Sequence, residues 1–214
     1  MEYNRRKLSR GEELFNSITH GLGALLSIAA LVILVVAAAR HGNGWHITGF
    51  AIYGVSLVLL YTASALYHSF PDGQARNLFA RFDHSAIFLL IAGTYTPMLL
   101  TVMRNSTGWT LFGIVWGIAL AGITLRSIFL YRFRQVMVVL YLVMGWMFLF
   151  AARDIAATLP KGSLHLLLAG GLLYSGGVVF YAWRKLPYSH GIWHLFVLGG
   201  SIAHFFAILA ILEL

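Results

Sequence analysis

The chain contains no cysteine, so neither a disulfide framework nor a thiolate ligand is available. Any transition-metal site must therefore draw on His, Asp, Glu or water. Charge is also scarce: only 10% of the 214 residues are charged, and 59% are hydrophobic. A soluble domain would carry about 25% charged residues, so the deficit points to a membrane protein. Strand-like alternation is missing as well. A closed transmembrane barrel needs alternating segments of about ten residues, and apolar runs such as 28–39 do not alternate. No second domain, low-complexity segment or convincing internal repeat is visible.

What remains are seven apolar runs, each long enough to cross a hydrocarbon core of about 30 Å as a helix. They lie at 17–39, 47–68, 83–103, 109–129, 135–152, 164–183 and 191–212. The expected fold is therefore an all-α integral membrane protein. A polar, basic tail covers residues 1–16, and one seven-helix domain covers 17–214. The basic start, the first apolar run and Ala37-Ala38-Ala39 loosely resemble a secretory signal. The run is too long for one, however, and Asn16, Thr19 and His20 precede it. The longest link, 69–82, holds the turn signal Pro71-Asp72-Gly73 and then an amphipathic stretch suited to the membrane surface.

The net charge of +8 would suggest nucleic acid in a soluble protein. Its placement argues otherwise. Eleven basic residues (Arg5, Arg6, Lys7, Arg10, Arg76, Arg81, Arg126, Arg132, Arg134, Arg184, Lys185) share a side with the N-terminus; four (Arg40, Arg104, Arg153, Lys161) lie opposite. Positive residues favour the cytoplasm, so the N-terminus is expected inside and the C-terminus outside. Nucleic-acid binding is not expected.

That topology gathers the polar groups. His190 and His194 are four residues apart on one helical face and can grip a single metal ion. Ser201 and His204 continue the same stripe. Ser64 and His68 close the second span, Asp83 and His84 open the third, and Glu13, Asn16, Thr19 and His20 precede or open the first. Apart from the deeper Ser201 and His204, all fall in the half nearest the cytoplasm, whereas His41, His46 and His165 fall opposite and read as interfacial. Imidazoles with oxygen nearby and no sulfur suit zinc, although iron, nickel and copper also accept nitrogen. Each residue also has a plainer reading. The histidines suit hydrogen bonds in a bundle core or at headgroups. Asp83 suits pairing with Arg81 or capping the third helix, and Ser64 a bond between helices. Tyr95 and Pro97 suit a bend in the third span.

At Glu13-x-x-Asn16-x-x-Thr19-His20, Ser64-x-x-x-His68, Arg81-x-Asp83-His84 through Gly93, and His190-x-x-x-His194 followed by His204, the chain resembles the haemolysin III-like proteins. These are bacterial members of the progestin and adiponectin receptor family, within a wider seven-helix group that includes alkaline ceramidases. The resemblance implies Zn2+ held by His68, His190 and His194, with Asp83 and Ser64 as catalytic groups beside a zinc-bound water. Glu13, Asn16, His20, His84 and His204 would support or surround them. It further implies a multi-pass protein of the bacterial inner membrane that hydrolyses a lipid amide or ester. Membrane lipids would be its partners. The animal receptors' long N-terminal extension is missing, so a hormone ligand is not implied. Two other functions fit the residues: a non-enzymatic regulator of membrane state with structural zinc, and a transporter or proton conductor using His204, Thr94 and Tyr95.

Overall fold

The first helix begins at a capping box. Ser9 Oγ accepts the Glu12 amide at 3.2 Å, and the Glu12 carboxylate accepts the Ser9 amide at 2.8 Å. This sets the start of α1 (Arg10–His41) seven residues ahead of the apolar run. The polar segment is thus already helical, which fixes the directions of Glu13, Asn16 and His20. At about 1.5 Å per residue, the 32 residues of α1 exceed a bilayer core, so its polar turns project beyond the oily length. In the computed structural model, residues 8–130, 132–183 and 185–213 are described. Most of the basic tail, with Arg5, Arg6 and Lys7, lies outside them, as does Arg184.

Asn43 caps α2 (Gly44–Ser69), its Oδ1 accepting the Trp45 amide at 2.9 Å. His46 completes that box at the chain surface, in keeping with an interfacial histidine. The third helix departs from expectation. α3 runs unbroken over Gln74–Thr101, so the stretch at 74–82 is the beginning of a spanning helix rather than a separate surface element. Nothing between Gly73 and Gly93 breaks it. Asp83 therefore sits in the third turn and caps nothing. α4 (Ser106–Ile128) is capped by Asn105.

The fifth span is broken. α5 (Arg134–Gly145) gives way to a 3-10 segment, Met147–Ala151, and then to α6 (Ala152–Thr158). Backbone groups released by such a break need partners inside a membrane. The Tyr95 hydroxyl supplies them, lying 2.9 Å from both Met144 O and Gly145 O and accepting the Phe148 amide at 3.0 Å. Tyr95 thus sustains a break in the fifth span, not a bend in its own helix. α7 (Lys161–Ala182) and α8 (Ser189–Leu209) complete the bundle, with a final 3-10 turn at Ala210–Glu213.

Neighbouring helices in sequence pack together, and α8 returns against α1. Glycines allow the closest approaches. A Cβ at Gly23 would fall 2.5 Å from the Tyr61 ring, and one at Gly93 would fall 2.4 Å from Ser56 Oγ. Phe50, Tyr53, Tyr61 and Phe88 fill the interior, while Leu25, Phe150 and Leu172 point outward. Among the described residues, seven helical segments are long and apolar enough to cross a membrane, and their outward apolar faces are what lipid requires.

Candidate metal centre

His68 stands in the last turn of α2, and His190 and His194 stand in the first turns of α8. The ring centroids are 5.0 Å apart for His68 and His190, 5.1 Å for His68 and His194, and 4.7 Å for His190 and His194. One ring nitrogen from each lies within 4.8 Å of the others. A tetrahedral ion with bonds of about 2.0–2.1 Å to nitrogen holds its ligand nitrogens about 3.4 Å apart. Small ring rotations would close the triangle to that size.

The hydrogen bonds orient the rings for such a role. His68 Nδ1 donates to Glu13 Oε2 at 2.7 Å, which leaves Nε2 with its lone pair. That Nε2 is buried and has no partner among the described residues. His194 Nδ1 lies 3.3 Å from Asn16 O, which can only accept, so its Nε2 is also left with a lone pair. A carboxylate or backbone carbonyl fixing the far nitrogen of an imidazole is the usual support for a metal-ligating histidine. The donor set therefore fits a divalent transition metal such as zinc.

Glu13 is itself held by an ion pair with Arg76. The Arg76 guanidinium also donates to Phe70 O at 3.0 Å and lies 4.9 Å from the Tyr67 ring centroid. By sequence alone, Arg76 is only one of the basic residues that set the topology. The available signal was its place just after the Pro71-Asp72-Gly73 turn, which folds it back toward the end of α2. Two other contributors were missed. Glu12 Oε1 accepts the Tyr188 amide at 2.9 Å and ties the start of α1 to the start of α8. Gly191 lets these helices meet, since a Cβ there would fall 2.3 Å from the Phe15 ring and 3.0 Å from Asn16 Oδ1.

The other expected residues surround the triangle. His20 stacks on His194 with centroids 3.5 Å apart, and its edge meets Tyr61 at 4.9 Å; neither of its nitrogens has a hydrogen-bond partner among the described residues. Ser64 Oγ, one turn before His68, is buried and unpartnered among the described residues. Asp83 is half-buried and lines the same cavity, as does His84, whose Nδ1 donates to Ala80 O at 2.5 Å. Asp83 forms no ion pair with Arg81 among those found in the described residues.

The cavity measures about 180 Å³ and runs from His190, His194, Ser64 and Asp83 to His204, between apolar walls drawn chiefly from α3, α5, α7 and α8. His204 is buried there and donates from Nε2 to Leu167 O at 3.1 Å. Ser201, on the same stripe, is buried in a tyrosine cluster. It accepts Tyr61 OH at 2.7 Å, and Tyr174 OH lies 2.8 Å away. The Thr94 hydroxyl donates to Leu90 O, and that of Tyr95 is engaged at the α5 break.

Comparison with known proteins agrees with this architecture. The chain is 49% identical to Hemolysin-3 of Bacillus cereus, across 92% of its own length and 90% of the relative's. It is 49% identical to the Hemolysin-3 homolog of Bacillus subtilis (strain 168), across 92% and 93%. The human Monocyte to macrophage differentiation factor is 28% identical, across 92% and 83%. No solved structure matches the chain. The sequence profile of the haemolysin-III related family matches residues 8–205, and the chain is a multi-pass membrane protein belonging to that family.

Proposed function

We propose that this protein is a zinc-dependent hydrolase of lipid amides or esters, set in the bacterial inner membrane with its N-terminus in the cytoplasm. The carrying observation is a triangle of three imidazoles, two of which, His190 and His194, line one end of an apolar cavity together with Ser64 and Asp83. His68, His190 and His194 would hold the ion; when bound, zinc supplies Lewis-acid charge that activates water and polarises a carbonyl near neutral pH. Asp83 lines the same end as a half-buried carboxylate and serves as proton acceptor for the attacking water. Ser64 Oγ, free of any helical bond, donates to the carbonyl oxygen as negative charge develops there. The apolar walls take the acyl chain. The charge distribution along the sequence supports a reactive end on the cytoplasmic side.

The test has two arms. Metal analysis of purified wild type beside a His190→Ala/His194→Ala variant should show about one zinc per chain in the first and none in the second. Equal content would remove the site. Turnover of lipid amide and ester panels should be present in wild type and fall by at least 100-fold in Asp83→Asn with zinc retained. Zinc content without turnover on any substrate would instead favour a structural ion. The observation behind that second reading is that the donors come from two helices, α2 and α8, while α1 holds His68 through Glu13.

A further inference from the structure

One of the largest fully buried side chains is an arginine. Arg126, in the last turn of α4, is only 1% exposed. Its guanidinium donates from Nη1 to Leu130 O at 2.7 Å, while Nε and Nη2 have no hydrogen-bond partner among the described residues. An arginine is almost never buried completely unless it is paired. Unlike lysine or histidine, it cannot shed its proton to relieve the cost. Both open nitrogens are shut off from solvent, so the balancing negative charge must come from the chain itself.

Few carboxylates can supply it, because the chain has only seven acidic residues. Glu2 lies outside the described residues. Glu12 is taken by the α1 cap and the Tyr188 amide, Glu13 by His68 and Arg76, and Asp72 is exposed beside Arg76. Asp154 and Glu213 stand at the far ends of the fifth and last spans. Asp83 remains, and packing brings it level with Arg126. α3 and α4 touch at two levels: Arg81 Nη1 donates to Ser127 O, and Gly122 admits the Phe88 ring, where a Cβ would fall 2.4 Å from it. Asp83 and Arg126 lie between these two contacts on their own helices. Tyr141 of α5 fills the space beside them. Its ring is 4.4 Å from that of Phe88, and its hydroxyl donates to His84 O at 2.9 Å. Asp83 and Arg126 both lie within electrostatic reach of that hydroxyl and of the His84 ring. They form no direct ion pair among those found in the described residues. Their charges act across Tyr141, in low-dielectric surroundings where attraction is stronger than in water.

We propose that Arg126 is the buried counter-charge of Asp83, a positioning residue that offsets the charge of this carboxylate beside the cavity. Together the two are neutral, so removing either one strands the other in a poorly solvated place. The pairing stands on the packing of α3, α4 and α5; its use in hydrolysis rests on the role proposed above for Asp83.

The test is thermal unfolding of the purified full chain in detergent, for Arg126→Met, Asp83→Asn and the double variant. Asp83→Asn strands a buried cation and should lower the midpoint by about 5–10 °C. Arg126→Met should lower the midpoint in wild type, yet leave it unchanged or raise it in the Asp83→Asn background, where no carboxylate is left to answer. A plain structural clamp through Leu130 O gives the same fall in both backgrounds, and that result would overturn the proposal. So would an Asp83→Asn protein at least as stable as wild type. Should Arg126→Met alone fail to fold, folding of the double variant supports the pairing, and its failure to fold sinks it. Arg126→Lys, which keeps the charge without the planar fork, should recover part of the midpoint. In a preparation that turns over a lipid, Arg126→Met should also lower kcat with KM unchanged, and an unaltered kcat would remove the positioning role. The melting comparisons need no turnover, so a failed hydrolase assay leaves the pairing intact.

Discussion

The two halves of this bundle treat buried polar groups in opposite ways. In the half that carries Ser201, Tyr95 and Ser163, side chains are bonded across helices. Tyr61 bonds Ser201, Tyr95 spans the α5 break, Trp116 bonds Thr96 at 3.1 Å, and Ser163 bonds Ala207 O at 2.8 Å. In the half that carries the histidine triangle, Asn16 Oδ1, both nitrogens of His20, Ser64 Oγ and His68 Nε2 are buried without partners among the described residues. An unpaired polar atom in hydrocarbon is costly. Where such atoms cluster, they offer a site that a bound group would complete; where they are paired, they hold helices together. His204 Nδ1 is the exception in the deeper half, buried and without a partner among the described residues.

Four substitutions would break or sharpen that contrast. The largest effect is expected from His68→Ala, which removes one of the three imidazoles. Zinc retained on size-exclusion chromatography should fall to background while the protein stays folded. Glu13→Gln should be milder. The hydrogen bond to His68 Nδ1 weakens, and zinc affinity measured by chelator competition should drop about 10–100-fold. In the other half the sign of the contrast reverses. Tyr95→Phe should leave zinc content unchanged but lower stability by about 1–3 kcal/mol, read from thermal unfolding in detergent, because it strips the partners of a broken backbone. Ser9→Ala should cost least, about 1 kcal/mol, through loss of the α1 cap. If Tyr95→Phe lost zinc and His68→Ala lost only stability, the division between binding and bracing groups would be wrong.

Much of this was legible in the chain. Segment length and missing charge gave seven helices, and the four-residue spacing of His190 and His194 placed both on one face. The stripe through Ser201 and His204 did point inward, since helical periodicity alone decides which side a residue takes. Other features were not legible. The true start of α3, and with it the position of Asp83, depended on helical continuity through a polar stretch that hydropathy reads as surface. The break in the fifth span had no marker beyond Gly145, because its support comes from Tyr95, about fifty residues away. Arg76 looked like a topology charge because its ion pair with Glu13 joins residues far apart in the chain.

Local rules therefore determined the number of spanning helices, their inward faces and the residue types able to bind a metal, because these depend on composition and on a period of about 3.6 residues. Only the packing of α1, α2 and α8 decided which imidazole nitrogens face one another. Tautomer and ring direction are set by hydrogen bonds to Glu13 and to Asn16 O, on a helix distant in sequence. The same holds for His204: its spacing put it on the stripe, but the close approach of Gly170 and the carbonyl of Leu167 fixed the pose of its ring.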